Sequence, residues 1–123
     1  MNNRKRLGSW GEEQAAGYLA DRGYQLKEQN FRTPHGEIDI ICFNGDRTVF
    51  VEVKTRSSTR FGYPEESITG QKKAHMLAAA QFYLQQHPEM IGDWQIDVLA
   101  IERISQQEYP KITHFENVLS DPV

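Results

Sequence analysis

The order of apolar patterns along the chain predicts an α/β fold, a mixed β-sheet with helices packed on it. Three observations carry the prediction. Two stretches repeat their apolar residues at three- and four-residue steps. Five others are short and rich in β-branched or aromatic residues. Together they run in the order α-β-β-β-α-β-β, a meander that follows one helix and precedes another. At 123 residues the chain reads as one domain, 1–123.

The first helical pattern runs from Leu7 to Ala20, with Gly11, Glu12, Ala15, Ala16 and Leu19 on one face. Gly23 is a C-cap candidate behind it. Ser9-Trp10-Gly11-Glu12 also fits a capping box, in which the glutamate folds back on the helix start. Tyr24 to Phe31 reads as a polar-flanked strand broken by Thr33-Pro34-His35-Gly36. Glu37 to Phe43 forms the next strand, and Asn44-Gly45-Asp46 supplies hairpin chemistry. Thr48 to Thr55 is the clearest strand, almost wholly β-branched or aromatic outside its charges. Residues 56–68 are a polar loop with Gly62 and Pro64. A second helix spans Thr69 to Gln86 with Leu77, Ala80 and Leu84 as its stripe, and Pro88 closes it. Trp94 to Ile104 and Ile112 to Val118 complete the set.

Composition excludes several classes. Cys42 is the only cysteine, so neither an intrachain disulfide nor a zinc site built on cysteine pairs can form. No apolar run approaches the roughly eighteen residues of a membrane span, and the basic N-terminus has no apolar stretch behind it. A cytoplasmic protein without membrane contact is the expectation. Net charge is −3, but it is uneven: residues 1–73 carry +2 and residues 74–123 carry −5. A moderately basic half is compatible with phosphate contact.

Chemistry concentrates on the central strands. Strand period places Phe50, Glu52 and Lys54 on one face and Val49, Val51 and Val53 on the other. Charges on a strand built for burial cost several kcal/mol unless paired, hydrated or bound to a metal. If the strands pair through Asn44-Gly45, Asp39 comes near Glu52, and a divalent cation removes the repulsion between them. Hard oxygen ligands with room for water suit Mg²⁺. Asp39 and Glu52 are then metal ligands and Lys54 orients the attacking water. The alternative is a solvated cross-strand Glu52–Lys54 pair.

These residues sit within a wider resemblance. Gly11-Glu12, Ala15-Ala16, Tyr18-Leu19, Gly23-Tyr24, Asn30-Phe31-Arg32, Gly36-Glu37-Ile38-Asp39, Phe50 to Arg56 and Phe61-Gly62 resemble the YraN-like family of the PD-(D/E)XK nuclease superfamily. The chain is also similar to archaeal Holliday-junction resolvases. The resemblance implies a restriction-endonuclease-like core and assigns Glu12, Asp39, Glu52 and Lys54 as the catalytic set. Glu12, Asp39 and Glu52 would ligate Mg²⁺, with Mn²⁺ as substitute. Ile38 stands where the superfamily nominally has proline. Membership does not by itself imply cleavage.

Phosphate contacts are expected from Lys72 and Lys73 in the first turn of the second helix, where the dipole is positive. Arg56 and Arg60 are similar candidates, and Arg4, Lys5 and Arg6 form a short basic arm, unfolded until bound. Glu37, two residues from Asp39 on the same face, reads as the polar start of its strand with an outer metal ligand as the alternative, Asp97 as a hydrogen-bonded structural residue, and the four histidines as surface or core residues. The function implied is a metal-dependent endonuclease, structure-selective on DNA at junctions or flaps. RNA is an open second substrate, and a homodimer is left open. A non-catalytic DNA-binding or partner-recruiting module is the alternative.

Overall fold

The computed structural model describes residues 3–57, 70–90, 92–104 and 109–119, with side chains from Arg6 onward. Its elements follow the predicted order: α1 (Asn3–Asp21), β1 (Gln25–Thr33), β2 (Gly36–Phe43), β3 (Thr48–Arg56), α2 (Gly70–Gln86), β4 (Trp94–Glu102) and β5 (Lys111–Phe115). The strands form one sheet in sequence order, β1-β2-β3-β4-β5. β3 and β4 are parallel and the other three pairs antiparallel. The parallel pair follows from α2, because two parallel strands need a crossover between them. The fold is thus a mixed five-stranded sheet flanked by two helices, consistent with a restriction-endonuclease-like core.

Local chemistry explains the joints. Gly23 (φ 86°) ends α1 in a Schellman pattern, with Tyr24 N–H donating to Leu19 O at 3.0 Å and Gly23 N–H to Ala20 O at 3.0 Å. In the β2–β3 turn Asn44 Oδ1 accepts from the backbone N–H of Asp46 (2.9 Å) and Arg47 (2.8 Å). Two expectations change at the first helix. α1 starts at Asn3, so residues 4–6 belong to a helix rather than an arm. Ser9 therefore lies inside the helix, and the capping box with Glu12 does not form.

The helices cover opposite faces of the sheet. Ala15 and Leu19 of α1 pack with Ile40, Cys42, Val49, Val51, Leu99 and Ile101. Ala79, Ala80 and Tyr83 of α2 pack with Ile38, Ile41, Phe50 and Ile96, and Met76 joins them. The α2 stripe is thus rotated from the predicted one: Ala80 and Leu84 take part, while Leu77 is half-buried outside the core. Asp97, fully buried, faces α1. It accepts from Gln95 Nε2 (2.8 Å) and Asn117 N–H (2.9 Å), and its other oxygen pairs with His114 Nε2 at 2.7 Å. His114 Nδ1 lies 3.2 Å from Tyr18 Oη, so the network ties β4, β5 and α1 together. Asp97, His114 and Glu116 could gather round a cation, but Asp97 already has all these hydrogen-bond partners, as a structural residue should.

Gly11 is buried where α1 crosses β3, and its lack of a side chain sets the approach. A Cβ there would stand 2.7 Å from Thr55 Cγ2 and 2.9 Å from Thr55 Cβ, well inside van der Waals contact. Gly11→Ala should destabilise the protein by about 1–3 kcal/mol through overpacking. Thr55→Ala in the same chain should recover part of the loss. Chemical denaturation of the parent and the two variants checks this, and a Gly11→Ala midpoint at or above that of the parent would show that α1 shifts freely.

Candidate metal centre

The site grows from a fork in the sheet. β2 and β3 pair regularly from Phe43↔Thr48 to Ile40↔Val51, and there the pairing ends. The next residues on either side are Asp39 and Glu52. Beyond the last pair the strands diverge, which frees backbone groups that a ladder would have used. Asp39 takes one of them: its Oδ2 accepts the Val53 N–H at 2.8 Å.

β2 also turns at this level. Strict alternation would put Ile38 and Ile40 on one face. Instead Ile38 packs with the α2 cluster and Ile40 with the α1 cluster, so the strand rotates at Asp39. On β1 the register Gln29↔Ile40 and Phe31↔Ile38 sets Asn30 opposite Asp39, and Asn30 has φ 54°. Asparagine tolerates this left-handed conformation better than most residues.

Carboxylates converge on the fork. One ligand oxygen each from Glu12 (α1), Glu37 and Asp39 (β2) lie within 4.8 Å of one another. With its amide turned to satisfy both ends, Asn30 Nδ2 donates to Glu37 Oε1 at 2.9 Å and Glu12 Oε2 at 3.2 Å. Burial, then the charge of Glu52, raise the Asp39 carboxyl from 3.8 to about 7. The Val53 hydrogen bond opposes the shift, and Glu12 and Glu37 add to it. Burial also raises Glu12, against the Asn30 hydrogen bond and with the charges of Glu37 and Glu52. Such acid crowding is what a divalent cation relieves, and every donor is a hard oxygen of the kind Mg²⁺ and Mn²⁺ take.

Glu52 sits on the α2 side, as the strand period requires. Its side chain is 11% exposed, and one oxygen, Oε1, meets two ammonium groups: Lys72 Nζ at 2.8 Å and Lys54 Nζ at 3.9 Å. The Glu52 hydrogen bond raises the Lys72 ammonium, against its burial. A cavity of about 120 Å³ adjoins this pair, lined by Glu37, Glu52, Lys72 and His75 over Phe50 and Ile96.

The structure thus brings Glu12, Asp39, Glu52 and Lys54 to one region, as the sequence suggested. It adds Glu37 to the carboxylate group and Asn30 as its clasp. Nothing in spacing alone marked Asn30; the sole hint was a polar residue able to adopt positive φ within a strand. Lys72, expected to meet phosphate, instead touches Glu52. Lys73 is half-buried on α2, and Arg56 ends β3, where its carbonyl accepts from Arg103 N–H at 2.7 Å. Arg60 and Phe61-Gly62 lie outside the described residues.

Residues 11–101 match the family model described as "Uncharacterised protein family UPF0102". The chain belongs to the UPF0102 family. It is 45% identical over 113 residues to a UPF0102 protein of Syntrophomonas wolfei, covering 92% of this chain and 96% of that one. The UPF0102 protein of Dehalococcoides mccartyi is 40% identical over 119 residues, 97% of each chain. That of Caldicellulosiruptor saccharolyticus is 38% identical over 115 residues, 94% of this chain and 98% of its own. The family is the YraN-like group to which the motifs pointed, and its matched span holds the four acids of the fork, Lys54 and Lys72. Among the described residues no helix is long and apolar enough to cross a membrane.

Proposed function

We propose that this UPF0102 protein is a metal-dependent nuclease of the PD-(D/E)XK type, hydrolysing nucleic-acid phosphodiesters and acting on DNA at junction- or flap-like structures. One observation carries the reading. Asp39, at the point where β2 and β3 part, is anchored by Val53 N–H and crowded by other acids, with two lysines on the neighbouring Glu52. A structural carboxylate would be matched to its partners, as Asp97 is. Among the described residues Asp39 has one hydrogen bond and a surplus of negative neighbours.

In this reading Glu12, Asp39 and Glu52 hold the cation, with Glu37 beside them. Mg²⁺ bound there, or Mn²⁺ in its place, would polarise the phosphodiester and make water acidic enough to attack. Asn30 fixes the outer acids, so that they need not reorganise during reaction. Lys54, rigid on β3, orients water and offsets charge developing on phosphorus. Lys73 and Arg56 would meet the backbone of the substrate. Recognition through phosphates fits a chain whose charge is modest and whose described residues offer no helix dedicated to base edges.

The test is a cleavage panel of single strands, flaps, four-way junctions and duplexes, in DNA and RNA, with Mg²⁺, Mn²⁺ or EDTA. Cleavage of branched DNA that EDTA abolishes is the expected result. Stronger cleavage of the RNA forms would reassign the substrate. No cleavage of any member, with binding retained, would replace the enzyme by a nucleic-acid-binding module.

A further inference from the structure

Lys72 is in an unexpected place for a residue that meets phosphate. It projects from the first turn of α2 onto Glu52, and its ammonium is 2.8 Å from Oε1 while Lys54 stands at 3.9 Å from the same oxygen. Glu52, with its side chain 11% exposed, is therefore neutralised from within. The other three acids, Glu12, Glu37 and Asp39, group together without it. A divalent cation entering that group meets a full positive charge at the neighbouring carboxylate, and it must displace this charge to use Glu52.

The two lysines differ in how readily they can yield. Lys54 is held on a central strand, with its side chain 28% exposed. Lys72 hangs from the end of a helix by a flexible four-carbon stem, 37% exposed, and borders the cavity that also borders Glu37 and Glu52. An ammonium displaced from Glu52 can stay within a few ångströms, in a space open to solvent. A compact, rehydrating charge on a flexible stem suits such an exchange better than a planar guanidinium.

We propose that Lys72 is a positioning residue with two alternating partners, neutralising Glu52 while the fork lacks a divalent cation and turning to the substrate phosphate once the cation takes Glu52. The inference rests on the nuclease reading above and deepens it. Lys72 then does two things. It suppresses metal affinity in the absence of nucleic acid, and it couples metal binding to phosphate binding, since each favours the same displaced lysine.

The experiment has two readouts, neither of them cleavage. Mn²⁺ affinity is measured by calorimetry on the full chain for wild type, Lys72→Met, Lys72→Gln and Lys72→Arg. The two neutral variants should bind about tenfold more tightly, a charge effect of the size neighbours of metal ligands commonly exert, and Lys72→Arg should stay near wild type. Salt dependence of four-way-junction binding is then measured with EDTA and with Ca²⁺. Neutralising Lys72 should reduce the log–log slope by about 0.9 with Ca²⁺ and leave it unchanged with EDTA. Equal Mn²⁺ affinity in wild type and both neutral variants would overturn the proposal while leaving the nuclease reading intact. So would an equal loss of slope in both buffers, which makes Lys72 a plain phosphate contact, whereas no junction binding in either would overturn it together with the junction substrate of the nuclease reading. No saturable Mn²⁺ binding by wild type or by either neutral variant would remove the metal site itself and both readings with it.

Discussion

Asp39→Ala and Glu52→Ala should each reduce metal-dependent cleavage to background, whereas Lys54→Ala should slow it about 10²–10³-fold with Mn²⁺ affinity largely kept. The difference follows from what each residue does at the fork. Asp39 is fixed by a backbone hydrogen bond and lies in the carboxylate group, so its loss dismantles the cation site. Glu52 is the acid that β3 brings to the fork among the described residues, and without it the ammonium groups of Lys54 and Lys72 would stand beside an incoming cation with no carboxylate between them and it. Lys54 acts beside the ligands, with Nζ 3.9 Å from Glu52 Oε1, and removing one positioned electrostatic group typically raises a barrier by about 2.7–4 kcal/mol. Single-turnover rates on the best substrate of the panel, read beside Mn²⁺ calorimetry, check this. A Lys54→Ala variant that loses Mn²⁺ binding, or an Asp39→Ala variant that still cleaves, would reverse the assigned roles.

The second large effect is on stability and needs no substrate. The Asp39 carboxyl is held at about 7 in the fold against 3.8 when unperturbed, chiefly by burial and then by Glu52. The folded protein therefore grips this proton more tightly than the unfolded chain does. Stability should fall as pH rises from about 4 to about 7 and stay low above, by up to about 4 kcal/mol for a shift of this size. Asp39→Asn keeps an oxygen for Val53 N–H and removes the charge. Metal-free, it should match wild type near pH 4 and exceed it by several degrees in melting temperature at pH 8. Mg²⁺ should reverse the order. Wild type gains RT ln(1 + [L]/Kd), about 2.7 kcal/mol at a hundredfold excess over Kd, and Asp39→Asn gains little. The measurement is a set of thermal melts at pH 4 to 8 with EDTA or Mg²⁺ at fixed ionic strength. Parallel pH profiles in the two proteins would show that Asp39 titrates as an ordinary solvated acid. Equal magnesium responses would take it out of the cation site.

Much of the fold was legible in order. The run Thr48–Thr55 alternates valines with Phe50, Glu52 and Lys54, and period two alone sent the valines to α1 and the charges to α2. Asn44-Gly45 fixed the β2–β3 hairpin and so brought Asp39 level with Glu52. The start of α1 was not legible, because Arg4, Lys5 and Arg6 carry no apolar signal and resemble a solvated arm. The rotation of the α2 stripe escaped for a related reason. Leu77 is the more apolar residue, but the space over Phe50 and Ile96 takes the small side chains of Ala79 and Ala80 with Tyr83.

By itself, the sequence determined which residues could do the chemistry. Residue type fixes what a side chain can ligate or neutralise, and strand and helix periods fix the face it occupies, both short-range properties. Only the tertiary structure decided which of those residues meet. Ending the β2–β3 ladder at Ile40↔Val51 frees the Val53 N–H for Asp39, and the turn of β2 at that level brings Glu37 into the group with α1's Glu12. Asn30 in a positive-φ conformation joins two of these acids from a third strand. The packing of α2 against the sheet sets Lys72 on Glu52. Each of these depends on where separate elements stop, twist and cross, and that is set by how the whole core packs.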